Sequence, residues 1–407
     1  MQNQKTYETG LVALVFLTWG TVFLDRTSLL SLVPYIKHDL PLSHEQVGLL
    51  ASALALAWAF GSLIFGAMSD RVGRRPILIP AVFAFSILSW LSGIVRSFGQ
   101  MYLVRALMGA AEGPTWATIT ATVEESSAPE RRGRNVGIVV SAAALVGLAI
   151  APILTTQIAA RWNWRWAFFV AGVPGVILGI VLWRFVREPQ RREGSHKIAL
   201  GQFFTVLRYR NMWLCCLASA GFMTWLWVMH ASAPQYITEV SKNTPTLAGL
   251  VLGASGAGAF VWGLIFPWLS DQWGRKPVLL FMALISAAVP LTYQVPFLVR
   301  HPWLMAAAGF IANGGQGIAA LVLVLVPTES VSPQLAGTAI GLSTMTGEII
   351  GGTLAPYVSG IVADRHGLGA ALWIAAGGAV LVFLAGLLMK ETAPFKVKER
   401  SSALTAT

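Results

Sequence analysis

Charged side chains are scarce in this chain of 407 residues, since Asp, Glu, Lys and Arg together make up only 12% of it. Ordinary soluble proteins carry about 25% charged residues, and a large core alone does not lower the fraction so far. Hydrophobic residues, in contrast, make up 55% of the chain. The composition excludes an ordinary soluble protein and indicates a membrane protein.

Cysteine is also scarce, with two adjacent residues, Cys215 and Cys216. They exclude a disulfide scaffold and leave no metal-ligand spacing, so we expect neither a metal nor another cofactor. The sequence shows no nucleophile elbow, no paired catalytic carboxylates at an interface and no appended soluble domain. These absences count against a membrane enzyme and against a membrane sensor.

Long apolar runs are abundant. A bilayer core needs about 20 apolar residues per helix, and twelve runs of that length predict an all-α membrane protein with twelve transmembrane helices. The predicted spans are 11–31, 46–68, 77–96, 99–121, 136–158, 166–184, 211–231, 247–268, 277–297, 303–326, 337–361 and 368–389. The first run lacks a small-residue cleavage site and leads into Asp25 and Arg26, so we interpret it as a retained helix rather than a signal peptide.

The distribution of Lys and Arg predicts the orientation. With the N-terminus in the cytosol, the cytoplasmic segments contain 20 of these residues and the outer segments contain 7. The positive-inside rule then places both termini in the cytosol of a cell (inner) membrane. The net charge of +11 is therefore mainly a topology signal, and nucleic acid is not an expected partner. We expect a monomer in the lipid bilayer.

The chain repeats itself after about half its length. The segment GAMSDRVGRRP at 66–76 reappears as PWLSDQWGRKP at 267–277. Two further matches follow in the same order, and they pair 125–133 with 329–337 and 147–152 with 351–356. Three ordered matches indicate a duplication, and parallel halves around a central site are a known transporter plan.

The repeat predicts the domain organisation. We expect an N-terminal six-helix half over 1–184 and a C-terminal six-helix half with a cytoplasmic tail over 211–407. The segment 185–210 between them is interpreted as a cytoplasmic linker, either solvated or forming a short surface helix.

The repeated pattern D-R-x-G-R-R/K, between spans two and three and again between eight and nine, resembles the signature loop of the major facilitator superfamily. The resemblance implies that the halves rock to give alternating access to a central cavity, and that the loop takes part in gating. It implies that Asp70 sits by the start of helix eleven and locks the outward-open state. The arginines alone are also explained as topology signals. The predicted gating residues are Gly66, Asp70, Arg71, Gly73, Arg74, Asp271 and Arg275.

Five ionisable residues lie well inside the predicted spans, namely Asp25, Arg26, Arg105, Glu112 and Glu348. Such residues are costly in hydrocarbon and mark functional sites by default. Internal ion pairs that tie helices together are the alternative. Apart from Glu348, however, the charges are confined to helices one and four, and this clustering favours a functional site in the N-terminal half.

The repeat shows that the C-terminal half lacks this charge. Glu112 aligns with Gln316, Arg105 aligns with a glycine, and Asn313 also lies on the aligned helix. We therefore expect Asn313 and Gln316 to face the charged site. Trp116, one turn after Glu112, is a candidate to stack on a substrate ring.

The charges suggest a chemistry. An arginine in a membrane cavity stays charged and matches a carboxylate, so Arg26 and Arg105 are candidate anion ligands. A carboxylate in a low-dielectric site can bind protons near neutral pH, so Asp25 and Glu112 are candidate proton carriers. Glu348 is left with three interpretations, which are a third proton site, a hydrogen-bonding acid and a partner of Arg26.

The same residues narrow the resemblance. The Asp25-Arg26 pair, the Arg105-x6-Glu112 spacing and the segment 162–168 resemble the anion:cation symporter family, which includes proton-coupled sugar-acid, tartrate and phthalate permeases and vesicular glutamate and sialic acid carriers. The resemblance implies that both arginines bind the substrate carboxylate and that Asp25 and Glu112 exchange protons. Glu348 departs from the family pattern, in which a neutral amide is expected.

The sequence thus predicts a proton-coupled symporter of a small organic anion, such as a sugar acid, that works by alternating access. The alternative is a proton-antiporting exporter of drugs or metabolites with the same fold.

Overall fold

The computed structural model describes residues 2–128, 131–188, 205–332 and 335–396. Within these ranges twelve long helices form two six-helix halves, as the sequence predicts. Their bounds are α1 Gln2–Asp39, α2 His44–Val72, α3 Arg75–Ser92, α4 Phe98–Ser126, α5 Arg132–Arg161, α6 Trp164–Phe185, α7 Arg210–Val240, α8 Pro245–Trp273, α9 Arg275–Thr292, α10 Pro302–Ser330, α11 336–366 and α12 Leu368–Leu388. Most of the predicted linker, 189–204, lies outside the described residues.

Most of the helices extend a few residues beyond the apolar runs, and polar side chains cap several of them, among them α2, α4, α6 and α8. Ser43 accepts a hydrogen bond from the Gln46 backbone N–H, and the Gln46 side chain accepts one from the Ser43 N–H, which is a capping box for α2. Thr244 caps α8 with one of these two bonds, since its hydroxyl oxygen accepts a hydrogen bond from the N–H of Leu247. Since α2 and α8 are related by the repeat, their caps repeat as well.

Ten of the twelve helices are long and apolar enough to cross a membrane by length and composition alone. The other two are α4, which carries Arg105 and Glu112, and α11, which carries Glu348. Charged residues oppose insertion strongly at the middle of a span. Buried charges lower the hydropathy of both helices, whereas α1 still qualifies although it carries the buried Asp25 and Arg26.

The halves meet where α2 packs on α11 and α8 packs on α5, with α1 against α7. Glycines permit the closest approaches. A Cβ on Gly48 of α2 would collide with the carbonyl oxygen of Pro356, and a Cβ on Gly249 of α8 would collide with that of Pro152. The two contacts are related by the repeat, so the structure has pseudo-twofold symmetry across the interface.

Both α5 and α11 widen into π-helical turns before a proline. The wide turns cover Ala143–Ile150 and Glu348–Leu354, and Pro152 and Pro356 follow them. A proline lacks the N–H that would bond to the preceding turn, and π-turns are frequent at functional sites. Glu348 is the first residue of the second wide turn.

Candidate functional site

A small cavity lies between helices of the two halves. Its walls are formed by α1, α2, α4 and α7, and its lining residues are Arg26, Leu30, Ala51, Leu54, Arg105 and Trp227. Two guanidinium groups therefore line one otherwise apolar cavity. Both arginines were predicted as anion ligands from the sequence, and the structure brings them together.

Arg26 connects the halves. Its Nη2 atom lies 2.9 Å from Oε2 of Glu348 on α11, and both side chains are buried. The guanidinium carbon also lies 4.1 Å from the ring centre of Trp227 on α7, which is a cation–π distance. Of the three sequence interpretations of Glu348, the geometry corresponds to the partner of Arg26.

Arg105 is held differently, by the backbone of α1. It donates hydrogen bonds to the carbonyl oxygens of Asp25 at 3.3 Å and Arg26 at 3.0 Å, and it lies 3.3 Å from the sulfur of Met108. Among the described residues it forms no ion pair, and its Nε atom is buried without a hydrogen-bond partner. No carboxylate is therefore bonded to this cavity-lining guanidinium, and Glu112 and Asp25 act on its charge only through space.

The two carboxylates of the N-terminal half differ in their partners. Asp25 points away from the cavity, and its Oδ1 accepts a hydrogen bond of 2.6 Å from Ser89 of α3. Glu112 is fully buried, and neither of its oxygens finds a hydrogen-bond partner in the described parts of the chain. Oδ2 of Asp25 also lacks a hydrogen-bond partner among the described residues. A buried carboxylate oxygen without a partner is costly in the charged form, so both residues suit reversible protonation.

Three predicted ligands lie apart from the cavity lining. The Nδ2 atom of Asn313 donates to the backbone and hydroxyl oxygens of Ser255 at 3.0 and 2.9 Å, and its Oδ1 accepts from the N–H of Gly315. Asn313 therefore bridges a break in α10 and ties it to α8. Gln316 packs against Gly263 of α8.

Trp116 packs on another tryptophan of its own half. Its ring centre lies 5.0 Å from that of Trp19 on α1. Trp227, which the sequence analysis did not select, lines the cavity instead. The repeat contains the signal for it, because Trp227 lies one repeat length after Arg26, and repeat-related residues of α1 and α7 meet at the pseudo-twofold axis.

The signature loops have the same geometry in both halves. Gly73 and Gly274 take positive φ values of +112° and +107°, which glycine adopts without strain. A carboxylate binds the start of the helix that follows each loop. At the start of α3, the backbone N–H groups of Arg74 and Arg75 donate hydrogen bonds to the carboxylate of Glu188.

In the second half, the N–H groups of Arg275 and Lys276 donate to Glu391. Glu188 and Glu391 thus form a further repeated pair that the sequence comparison missed.

The signature arginines also pair with the end of a neighbouring helix. Arg74 lies 3.1 Å from Glu125, and Arg275 lies 2.7 Å from Glu329. Arg275 in addition contacts Asp271 at 2.6 Å. Gly66 lies along α2 near Ala117, and Arg71 follows at the exposed end of that helix. The side chain of Asp70 is outside the described part of the structure, so its predicted contact with α11 remains a prediction.

The predicted outer ends of the halves are joined by an ionic cluster. Lys37 of α1 lies 2.7 Å from Glu239 of α7, and His44 of α2 contacts both Glu239 at 3.1 Å and Asp364 of α11 at 2.6 Å. Burial raises the pKa of Asp364, but the N–H groups of Glu45 and His44 and the His44 ring lower it more, so its pKa lies below the usual value. The cluster holds the halves together at this end.

The fold and the site define the class of the protein. Two repeated six-helix halves in a membrane, with buried charges at the interface between them, are the architecture of a secondary transporter. The described residues contain no group of three or more His, Cys, Asp or Glu side chains that could hold a metal.

The family follows from sequence comparison. The model of the Major Facilitator Superfamily matches residues 15–352 and 217–406, and the chain belongs to this family. Its curated relatives are transporters of the anion:cation symporter type, which confirms the resemblance read from the motifs, and the chain is a transporter rather than an enzyme.

Two relatives and one solved structure illustrate the match. The chain is 28% identical over 294 residues to the "Probable L-galactonate transporter" of Escherichia coli, covering 67% of this chain and 64% of that protein, slightly less than two thirds. It is 23% identical over 414 residues to the D-galactonate transporter of another Escherichia coli strain, covering 93% of this chain and 94% of that protein. The fold is similar to the nucleoside transporter NupG, with a TM-score of 0.74, 15% identity, and coverage of 94% of this chain and 99% of that chain.

We expect Gly48→Leu to lower transport by about tenfold or more without unfolding the protein, because an oversized side chain in a close contact pushes the two helices apart. A side chain at this position meets the backbone of Pro356 across the interface, so the halves cannot close at the predicted outer end. The measurement is uptake by reconstituted protein together with labelling of a reporter, Ala51→Cys, by a membrane-impermeant thiol reagent.

Gly377→Leu is the matched control for this prediction, because a side chain there enters open space. The control should transport and label like the parent protein. Unchanged transport and labelling in Gly48→Leu would show that the close approach of α2 and α11 is not part of the cycle.

Proposed function

We propose that this protein is a proton-coupled symporter that carries a small organic anion with a carboxylate group, such as a sugar acid, by alternating access. The single observation that carries the proposal is that two guanidinium groups, those of Arg26 and Arg105, line one small cavity between the halves. A guanidinium offers paired donors that match a carboxylate.

The apolar part of the cavity supports a carbon-rich substrate. Leu30 and Leu54 contribute aliphatic surface, and Trp227 contributes an aromatic face. Aromatic faces pack well on apolar and ring-shaped groups. Two relatives are named as galactonate transporters; galactonate is a hydroxylated acid whose carboxylate matches the arginines, which supports a sugar acid as the first class to test.

Proton coupling is supported by the two buried carboxylates. Glu112 lies two helical turns from Arg105 on α4, and Asp25 precedes Arg26 on α1. Protonation of these acids removes negative charge beside the arginines and thereby strengthens their field for a substrate anion. Coupling then requires that protonation and substrate binding favour each other, which is a reciprocal linkage.

Alternating access is supported by the contacts between the halves. The ionic cluster of Lys37, His44, Glu239 and Asp364 joins the halves at one end, and the close contacts of α2 with α11 lie toward the same end. With the orientation predicted from Lys and Arg, this end faces outward. The cavity would then exchange substrate with the cytoplasmic side when the halves part at the opposite end.

The test is uptake into proteoliposomes under an imposed pH gradient. The panel contains D-galactonate, a dicarboxylate and an aromatic carboxylate, and the gradient is acidic outside. We expect accumulation of at least one acid that collapses when a protonophore removes the gradient. Absence of any proton-linked flux of an anion would overturn the proposal, and efflux of the acid driven by proton entry would favour the exporter instead.

A further inference from the structure

The two cavity arginines are in different states. Arg105 has only neutral acceptors among the described residues, whereas Arg26 is neutralised by Glu348 at 2.9 Å. The Arg26 pair crosses the interface between the halves, since its partners are 322 residues apart in the chain. One arginine is therefore ready for an anion, and the other is already occupied by a carboxylate of the protein itself.

The surroundings of Glu348 hold its carboxylate in this position. A Cβ on Gly352, one turn later on α11, would stand 2.5 Å from Oε2 of Glu348, so a larger residue there would push this carboxylate out of its position. From α2, the residue that lies against this turn is Ala55, and from α7 it is Met223. Among the described residues packed here, Arg26 of α1 is the charged group that faces Glu348, so the charge of Glu348 acts mainly on Arg26.

We propose that Glu348 acts as a built-in substitute for a substrate carboxylate, which occupies Arg26 in the empty transporter and gives way when Glu348 takes up a proton. This inference rests on the proposed function and adds a specificity-determining residue to it. A substrate anion and Glu348 compete for the same guanidinium, because a carboxylate of either origin accepts from the same pair of N–H donors.

The proton balance of the exchange is simple. One proton from solution binds the Glu348 carboxylate, the neutral acid loses its attraction to Arg26, and the carboxylate of the substrate takes its place. Charge at Arg26 is conserved, because one carboxylate replaces another. Breaking a buried pair without a replacement leaves an uncompensated charge and is strongly unfavourable, so release of Glu348 and arrival of the anion depend on each other.

The experiment that tests this competition compares the parent protein with Glu348→Gln. The probe is D-galactonate, and its affinity is measured in detergent at about pH 5.5 and about pH 8, because binding that displaces Glu348 takes up a proton and therefore weakens as the pH rises. The parent should lose affinity by about tenfold or more toward the higher pH, because ionised Glu348 competes. In Glu348→Gln the loss should shrink to about threefold or less, with tighter binding than the parent at the higher pH.

Ser52→Ala is the matched control, because it removes an uncharged contact between the halves, the hydrogen bond that the Ser52 hydroxyl of α2 donates to the carbonyl oxygen of Thr353 on α11 at 2.5 Å. It should leave the pH dependence of affinity as in the parent. If Ser52→Ala tightens binding at high pH as Glu348→Gln does, the effect comes from loosening the halves, and the proposed competition is wrong. Weaker binding of Glu348→Gln at both pH values would also overturn it, since Glu348 would then be a substrate contact.

A second readout needs no substrate. Hydrogen exchange of the 336–366 segment in the empty protein, corrected for the intrinsic effect of pH, should show protection in the parent that falls at low pH. Glu348→Gln should lack this protection at both pH values. If no acid of the panel binds or is transported, the proposed function fails. Hydrogen exchange still decides whether Glu348 releases Arg26 on protonation. Protection of this segment that does not change with pH in the parent would overturn that release.

Discussion

Arg105→Lys is expected to reduce uptake of the transported acid by about 100-fold or more while the protein remains folded, because a single ammonium cannot replace a bidentate guanidinium. Arg105 donates to the carbonyl oxygens of Asp25 and Arg26 on α1 and lines the cavity beside Arg26. Lysine keeps the charge, but it cannot hold both carbonyls and also offer paired donors to a carboxylate. The measurement is uptake into proteoliposomes, with folding checked by size-exclusion chromatography and thermal unfolding.

Arg165→Lys is the matched control for this prediction. Arg165 also donates to two backbone carbonyls, those of Gly93 and Val95, but it lies at the end of α6 away from the cavity. We expect the control to keep uptake within about threefold of the parent, as is usual for surface-level hydrogen bonds. Equal losses in both variants would mean that Arg105 acts only as a clamp on the backbone.

Glu112→Gln should lower the pH-gradient-driven accumulation of the acid by about tenfold or more, while exchange of internal for external acid continues. The carboxylate of Glu112 is fully buried without a hydrogen-bond partner in the described residues, so a neutral amide of the same shape fits in its place. Exchange needs only the arginines and the conformational change. Accumulation needs a group that loads and unloads a proton in each cycle.

The measurement is paired uptake and counterflow in the same proteoliposomes. Glu8→Gln is the control, because Glu8 is also a buried carboxylate on the N-terminal half, but it binds Arg131 and Asn135. The control should lower the thermal stability and keep gradient-driven uptake. Gradient-driven uptake that survives in Glu112→Gln would exclude this residue from coupling.

Much of the fold could be predicted because its signals are local or periodic. A span of about 20 apolar residues is visible in the sequence since the bilayer sets its length. The repeated signature loops could be aligned because both need a glycine at positive φ, Gly73 and Gly274. The charged residues inside spans could be selected because each one costs insertion free energy.

The contacts of the individual side chains in the functional site were harder to predict than the fold. The amide side chain of Asn313 is of a type that often binds substrates, but it bridges the break in α10 to Ser255 of α8. Trp116 packs on Trp19, whereas Trp227 reaches the cavity. The direction in which a side chain leaves a helix, and the neighbour it then meets, depend on helix rotation, which the hydrophobic pattern of a membrane helix defines only loosely.

By itself, the sequence determined that this chain is a duplicated helical membrane protein with five ionisable residues inside its spans, since composition, length and repetition are properties of the chain alone. Only the tertiary structure decided which of these charges meet. Glu348 pairs with Arg26 across 322 residues, Asp25 turns to Ser89, and Arg105 stays without a carboxylate partner among the described residues. The physical reason is that a partner for a buried charge comes from whichever residues lie next to it in space, and the packing of α1 against α7 and against the helices of its own half determines which residues those are.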